Sequence, residues 1–301
     1  MKKSTWIILV AAAALAAAAY IAMHLPGERS LAERAGKTFV EFDPSLVETF
    51  EIVRPASRVV LAKVNGDWVL QEPVRYPADT AAVASTIRNI RLIELNDLIS
   101  ANPAKQGIFR LDSTGTHIRL VLRGGASVSF RAGKQSATYG QTYVRKDGAN
   151  EVYAATGVQS VMFERNANEW RDKAIVRTSI DAITDVVFRY GDTSFAVTRV
   201  DTVYMIGRDT TNQRTARTSL AAIASLTADD FVDTALSPPL KPLAIIAVHA
   251  MDGTASLSVY QDKGADKYFV REEGKGQTFV VNGWRLKYIL LRKKALLSPL
   301  S

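Results

Sequence analysis

From Val47 onward, apolar and polar positions alternate in short runs separated by turn residues. Glu51-Ile52-Val53, Val59 to Val64 and Asp67 to Leu70 read as short antiparallel strands. Asn65-Gly66 between the last two is a tight-hairpin signal, because both residue types accept positive φ. Asp79 is placed to cap a helix predicted from Thr80 to about Leu95, with Val83, Ile87, Ile90 and Leu95 on one face. Four more strand-like runs follow: Ile118 to Leu122, Ser127 to Arg131, Thr142 to Arg145 and Val152 to Ala154. Gly124-Gly125 and Asp147-Gly148 turns divide them. A short helix over Gly157 to Arg165 completes the pattern.

The pattern then recurs. At a shift of 136 residues, Phe50 and Ile52 fall on Val186 and Phe188, Leu61 and Val64 on Val197 and Val200, and Asp67 to Leu70 on Val203 to Ile206. The same shift puts Ile87 and Ile90 on Ile223 and Leu226, and Pro103 on Pro239. Later segments match with small length changes. Tyr143-Val144-Arg145 parallels Phe269-Val270-Arg271, Val152-Tyr153 parallels Phe279-Val280, and Gly157 parallels Gly283. The predicted fold class is α+β: an N-terminal transmembrane helix, then two tandem repeats of a mainly antiparallel β-sheet unit with helices. The predicted boundaries are a cytoplasmic N-terminus over 1–4, a transmembrane signal anchor over 5–23, a tether over 24–45, and α+β units over 46–178 and 179–301.

The anchor rests on Thr5 to Met23, an uninterrupted uncharged run of 19 residues with Trp6 and Tyr20 near its ends. Lys2 and Lys3 precede it, so the positive-inside rule puts the N-terminus in the cytoplasm and the bulk of the chain outside, in the periplasm. Ala17-Ala18-Ala19 also offers small residues for cleavage, and a removed signal peptide is the competing reading. Pro26-Gly27 breaks the helix beyond the run, and His24 falls at the membrane boundary.

Composition narrows the chemistry. The chain has 301 residues, no cysteine, three histidines and a formal charge of +8. Without cysteine there is no disulfide framework, thiolate metal site or cysteine nucleophile. Two of the positive charges are Lys2 and Lys3, and a further basic run, Arg285, Lys287, Arg292, Lys293 and Lys294, has no acidic neighbour. It reads as a solvated helix face or as a contact for acidic lipid or an acidic partner. There is no basic stripe interleaved with stacking aromatics, and nucleic acid is not an expected partner.

The remaining motifs favour structure over chemistry. Gly133-Lys134 lacks the glycine spacing of a phosphate loop, and Gly274-Lys275-Gly276 lies between strand-like runs as a hairpin turn. His117 and His249 occupy different places in the two units. A Ser–His–Asp hydrolase would need one of them beside a hydroxyl and an acid, and no Gly-x-Ser-x-Gly elbow is present. Asp229-Asp230 and Glu272-Glu273 are adjacent pairs whose members point to different faces, so both are expected at the surface. Trp68 and Tyr204 match across the units on an apolar strand and are expected in the core. No catalytic, cofactor-binding or metal-binding residue is predicted, and no cofactor.

Asn65-Gly66-Asp67-Trp68, then Pro73, then Ala78-Asp79 opening a helix, resembles the start of the DUF4340 family, a domain of unknown function. So do Phe109-Arg110-Leu111-Asp112, Tyr143-Val144-Arg145, Val152-Tyr153 and Trp170-Arg171-Asp172-Lys173. The resemblance covers about residues 45 to 200 well and the second unit more loosely. Where the family usually has a Tyr-Gly-Leu-Asp-like stretch, this chain has Phe109-Arg110-Leu111-Asp112. The resemblance implies a single-span, outward-facing protein, and some members are associated with ABC-type export systems, gliding-motility components included. It implies no catalytic residues.

The expectation is therefore a non-enzymatic periplasmic accessory or scaffold protein of an ABC-type transport or envelope complex, with the membrane and ABC transporter subunits as partners. An envelope-polymer module binding peptidoglycan or polysaccharide through Trp68 or Trp170 is the alternative, and an extracytoplasmic hydrolase using His117 or His249 the third reading.

Overall fold

The computed structural model describes residues 15, 37–191, 193–233, 241–261 and 266–297. The anchor run apart from residue 15, His24, the first part of the tether and Pro239 lie outside the described residues. Among the described residues, no helix is long and apolar enough to cross a membrane. The chain divides into two compact units between Arg171 and Asp172.

The first unit is one sheet of ten strands carrying a helix. Its strands are β1 (Lys37–Thr38), β2 (Val47–Arg54), β3 (Ser57–Val64), β4 (Asp67–Glu72), β5 (Tyr76–Pro77), β6 (Glu94–Ser100), β7 (Thr116–Leu122), β8 (Ser127–Gln135), β9 (Thr142–Lys146) and β10 (Val152–Thr156). They lie in the order β1-β6-β10-β9-β8-β7-β2-β3-β4-β5, and every pairing is antiparallel. Alternation on β2 buries Phe50 and Ile52, and a register shift between Val47 and Thr49 brings Val47 into the same core. At Asn65-Gly66, φ is +54° and +94°, the tight hairpin those residues predict.

Helix α1 (Thr80–Arg91) starts at Asp79, whose carboxylate accepts from Ala82 N–H at 3.0 Å, and buries Val83, Thr86, Ile87 and Ile90. It ends four residues before the predicted Leu95, which belongs instead to β6. Leu92 caps it, and the chain turns at once into a strand pairing with β10. Ile93 and Leu95 are both buried, so the helical apolar period runs into the strand with no visible break. Gly157 to Arg165 is shorter than predicted, a 3₁₀ turn over Ser160–Phe163. The core joins Phe39, Phe50, Phe130, Phe163 and Trp170, with Phe39–Phe130 and Phe50–Trp170 edge-to-face at 5.3 and 5.7 Å. Residues 37–45 are built into this unit, since β1 pairs with β6 and Phe39 is fully buried.

The second unit is a nine-stranded antiparallel sheet: β11 (Ile183–Tyr190), β12 (Thr193–Val200), β13 (Val203–Ile206), β14 (Asp209–Thr210), β15 (Asp230–Val232), β16 (Ala244–Ala250), β17 (Gly253–Gln261), β18 (Lys267–Glu272) and β19 (Thr278–Asn282). Their order is β14-β13-β12-β11-β16-β17-β18-β19-β15. Helix α2 (Gln213–Ala224) is capped by Asn212 and buries Ala216, Ser219, Leu220 and Ile223. Its core includes a stacked Phe188–Phe195 pair at 5.1 Å.

The strand order of β7-β2-β3-β4-β5 recurs as β16-β11-β12-β13-β14. The hydrogen bonds recur with it. Phe39 N–H donates to Ile93 O at 2.8 Å, and Ile175 N–H donates to Leu226 O at 2.9 Å. The spacing is 136 residues from β2 to β11 and from β4 to β13, but 133 from α1 to α2. The connection between β13 and β14 is shorter than that between β4 and β5. Ile87 and Ile90 therefore correspond to Leu220 and Ile223, not to Ile223 and Leu226. A slip of three residues is close to one helical turn, so the apolar face still overlays itself. Tyr153 pairs with Val144 and Phe279 with Val270, which makes Phe279 the counterpart of Tyr153. The sequence match is one residue off because Val152 to Ala155 are all buried and offer no alternation to fix the register.

Candidate functional site

Both histidines that could serve as a base lie on strands and hold carboxylates. His117 is the second residue of β7, with Nε2 2.5 Å from Asp147 Oδ2. Burial of Asp147 raises its carboxyl, but hydrogen bonds from His117 and Ser129 and the charges of His117 and Arg131 outweigh it, so the net shift is downward. His249, on β16, places Nδ1 2.7 Å from Asp185 Oδ1 across the ladder to β11. The nearby hydroxyl, Thr184 Oγ1, bonds the His249 carbonyl at 3.1 Å and Asp185 Oδ2 at 3.4 Å. A nucleophile relay needs the imidazole between hydroxyl and acid; here the acid takes that middle place. Among the described residues, no cluster of three or more His, Asp or Glu side chains is arranged to hold a metal ion.

The adjacent acid pairs split, as their spacing predicts. Asp229 accepts from Arg285 Nε at 3.0 Å and from Asn282 N–H at 2.8 Å, while Asp230 is exposed on β15. Glu273 is exposed, but Glu272 is not at the surface. It is 7 % exposed at the end of β18, with Oε1 accepting from Gly274 N–H at 3.2 Å and Oε2 without a partner. Its side chain lines a cavity of about 220 Å³ together with Ile175, Thr178, Val248, Asp252 and Lys275. Lys275 Nζ is held by the carbonyls of Ala174 and Ile175 at 3.0 and 2.7 Å, and Asp252 accepts Thr178 Oγ1 on both oxygens. The equivalent position in the first unit is Lys146, whose ammonium lies 5.8 Å over the Phe39 ring. Alternation along β18 puts Glu272 on the inner face with Val270, a signal the acidic doublet obscures.

Gly274-Lys275-Gly276 is the hairpin turn between β18 and β19, with Gly276 at φ +62°. Gly133 is not part of a phosphate loop. It sits in β8 where a Cβ would run into the Phe109 carbonyl oxygen, so glycine is required by a close backbone approach.

Trp68 is buried beneath Lys63, whose ammonium lies 5.5 Å from the ring, and Trp170 is fully buried against Phe50. Neither presents a face on which a sugar could stack. Tyr204 is buried as well.

The family-type motifs meet one another. The Phe109 and Tyr143 rings are in contact at 4.8 Å. Arg145, buried, donates to the Leu111 carbonyl through Nε and Nη2 at 3.3 and 3.1 Å, and burial lowers its pKa from the ordinary arginine range. Asp112 accepts Thr114 Oγ1 at 2.6 Å, while its carbonyl accepts Arg131 Nη1 at 2.9 Å. A second meeting joins Asp79 N–H to the Trp170 carbonyl at 2.8 Å, and stacks the Arg171 guanidinium 4.3 Å over the Tyr76 ring. These residues clasp loops to the sheet.

Neither a curated protein nor a solved structure matches the chain. A family model described as a domain of unknown function matches residues 68–244, from β4 to the first residue of β16, extending further into the second unit than the motifs suggest. The chain belongs to the DUF4340 family.

Proposed function

We propose that this protein is a non-enzymatic, single-span inner-membrane accessory protein. Its two β-rich units, duplicates of one design, face the periplasm as a binding scaffold for an ABC-type transport or envelope complex. Placement of the family-type motifs supports this reading best. Phe109 to Asp112, Tyr143 to Arg145 and Trp170-Arg171 hold loops against a sheet, and none of them surrounds the 220 Å³ cavity of the second unit. Side chains engaged in such clasps hold loops in place and leave these motifs no reacting group in a cavity, which supports a binding role over a catalytic one. The 19-residue uncharged run behind Lys2 and Lys3 supports the anchor and its orientation.

Affinity purification of the full-length chain from gently solubilised membranes tests the reading. Co-recovery of transporter subunits at stable stoichiometry is expected. Recovery of the chain alone in several mild detergents would refute the accessory role.

A further inference from the structure

We infer that the surface of the second unit formed by Trp284, Lys287, Tyr288, Arg292 and Lys293 docks on anionic phospholipid headgroups. The segment is firmly seated. Leu286, Ile289 and Leu296 are buried, and the Tyr190 hydroxyl donates to the Leu291 carbonyl at 2.9 Å. Helical bonds from Lys287 N–H to Gly283 O and from Leu290 N–H to Leu286 O carry the turn through Leu290. Trp284, Lys287 and Tyr288 therefore stand at i, i+3 and i+4 on one side. That side faces outward, with Trp284 62 % and Tyr288 50 % exposed.

An exposed indole and phenol four residues apart on one side make a small apolar patch rimmed by polar residues, the kind of surface that a membrane or a partner covers. Charge says which. From Gly274 to the last residue the chain contains no Asp or Glu. Lys287, Arg292 and Lys293 are exposed, and the Lys287 ammonium lies 5.8 Å over the Tyr288 ring. Arg292 also lies 4.0 Å over the Tyr190 ring, which holds its guanidinium in place. Arg285 contributes little to the field, being stacked on Trp284 and paired with Asp229. Asp266 also lies close to the segment, at Gly283, its N-terminal end.

Amphipathic rings flanked by lysine and arginine match the headgroup layer, where the ring enters the interface and the cations meet lipid phosphates. A protein partner is the poorer fit, since a stable interface takes about 800 Å² from each side, more than two helical turns offer. A surface this small binds weakly alone. It suffices when the same chain is tethered to the bilayer, and to that extent the inference rests on the proposed anchor. Each cation near an anionic surface contributes about fivefold in affinity, and salt screens the contribution.

The absence of cysteine gives a clean test. Full-length protein carrying Ala295→Cys, or Met251→Cys as an exposed control in the same unit, is labelled with a fluorophore. Each is reconstituted into vesicles of phosphatidylcholine alone, or of phosphatidylcholine with phosphatidylglycerol, that contain a headgroup quencher. Quenching at 295 well above that at 251 is expected in the anionic vesicles only. It should fall to the control level in high salt, and with Trp284→Ser plus Lys287→Gln and Lys293→Gln when the melting curve is unchanged. Equal quenching at both sites, or equal quenching at 295 in both vesicle types, would overturn the inference. So would a response at 295 to soluble polyglutamate without one to lipid, which would assign the surface to an acidic polypeptide. Flotation with vesicles in high salt reports the anchor separately, because it depends on the apolar run and not on these charges.

Discussion

The phenolic O–H of Tyr190 donates to the Leu291 carbonyl at 2.9 Å, tying the end of β11 to the segment that follows the last strand of its unit. The residue 136 positions earlier, Arg54 at the end of β2, makes the same tie with different chemistry. Its Nη1 and Nη2 donate to the Glu164 and Arg165 carbonyls at 2.6 and 3.1 Å. Burial pushes the Tyr190 phenol up to about 12, with Arg292 opposing only in part, so the donor stays protonated throughout the physiological range.

Removing either tie should loosen only its own unit. Tyr190→Phe is expected to cost about 1 kcal/mol and to speed amide exchange over Leu291 to Leu297. Arg54→Ala should do the same over Ser160 to Arg165. Exchange that rose equally in both units after either substitution would show that the closing segments are not held locally.

Arg110, in the Phe109-Arg110-Leu111-Asp112 stretch, adopts a backbone conformation that suits glycine. The residue caps the 3₁₀ turn Pro103–Phe109 at φ +56°, ψ +47°. A left-handed conformation costs a non-glycine residue about 1–2 kcal/mol, of which glycine's greater freedom in the unfolded chain returns a part. Arg110→Gly is expected to stabilise the first unit by up to about 1 kcal/mol in denaturant melts, leaving the Arg145–Leu111 contact intact. Destabilisation would mean that the Arg110 side chain contributes more than its backbone strain costs.

How much of this was legible beforehand follows from what each signal encodes. The Asn65-Gly66 hairpin was readable because the turn demands positive φ at both residues, a local requirement. The helix cap at Asp79 is equally local. By contrast, β6 was hidden, because Leu95 continues the helical period of Ile87 and Ile90 while belonging to a strand set by its pairing with β10. The position of Glu272 was hidden as well. A charged doublet reads as surface, and only the strand's alternation places one member inward. Trp68 was legible as core, but that Trp170 is buried against Phe50, and thus unable to stack a sugar, is a tertiary fact.

Gly133 is a backbone requirement of the first unit. The Cβ of Gly133→Ala would meet the Phe109 carbonyl and crowd the Leu111 side chain, forcing the clasped loop off the sheet. A loss of about 1–3 kcal/mol is expected, the usual cost of overpacking. Gly148→Ala, in an open turn at φ +75°, is the comparison, since it carries conformational strain without a clash. If Gly133→Ala melted like the wild type, the loop would have room to move that its hydrogen bonds deny.

Glu272 is an incompletely compensated carboxylate in the second unit's interior. One of its oxygens has no partner, and its neighbours Leu257 and Val270 are apolar. Leaving a buried acceptor unpaired costs about 1–3 kcal/mol, which an apolar side chain removes while giving up the bond from Gly274 N–H. Glu272→Leu should therefore raise the melting temperature of the second unit, whereas Glu272→Gln, which keeps the polarity, should not. A drop with leucine would show that the carboxylate is satisfied by a group within the 220 Å³ cavity, and that it is needed there.

The His117–Asp147 pair gives the first unit a dependence on acid. The folded-state pKa of Asp147 is lowered despite its burial, so the ionised carboxylate is favoured by folding. Its stabilising contribution is complete above the unfolded carboxyl pKa of about 4 and disappears as pH falls through the lower folded value. Asp43 and Asp112, also lowered, act in the same sense through hydrogen bonds from Ser45 and Thr114. Asp147→Asn should thus be less stable than wild type at neutral pH and converge with it in acid, flattening the acid limb of a melting-temperature profile. His117→Gln should give a shallower version of the same change, because it removes one hydrogen bond and one charge while leaving Ser129 and Arg131 in place. Parallel wild-type and Asp147→Asn profiles between neutral pH and about pH 3 would exclude the pair as the source of that dependence.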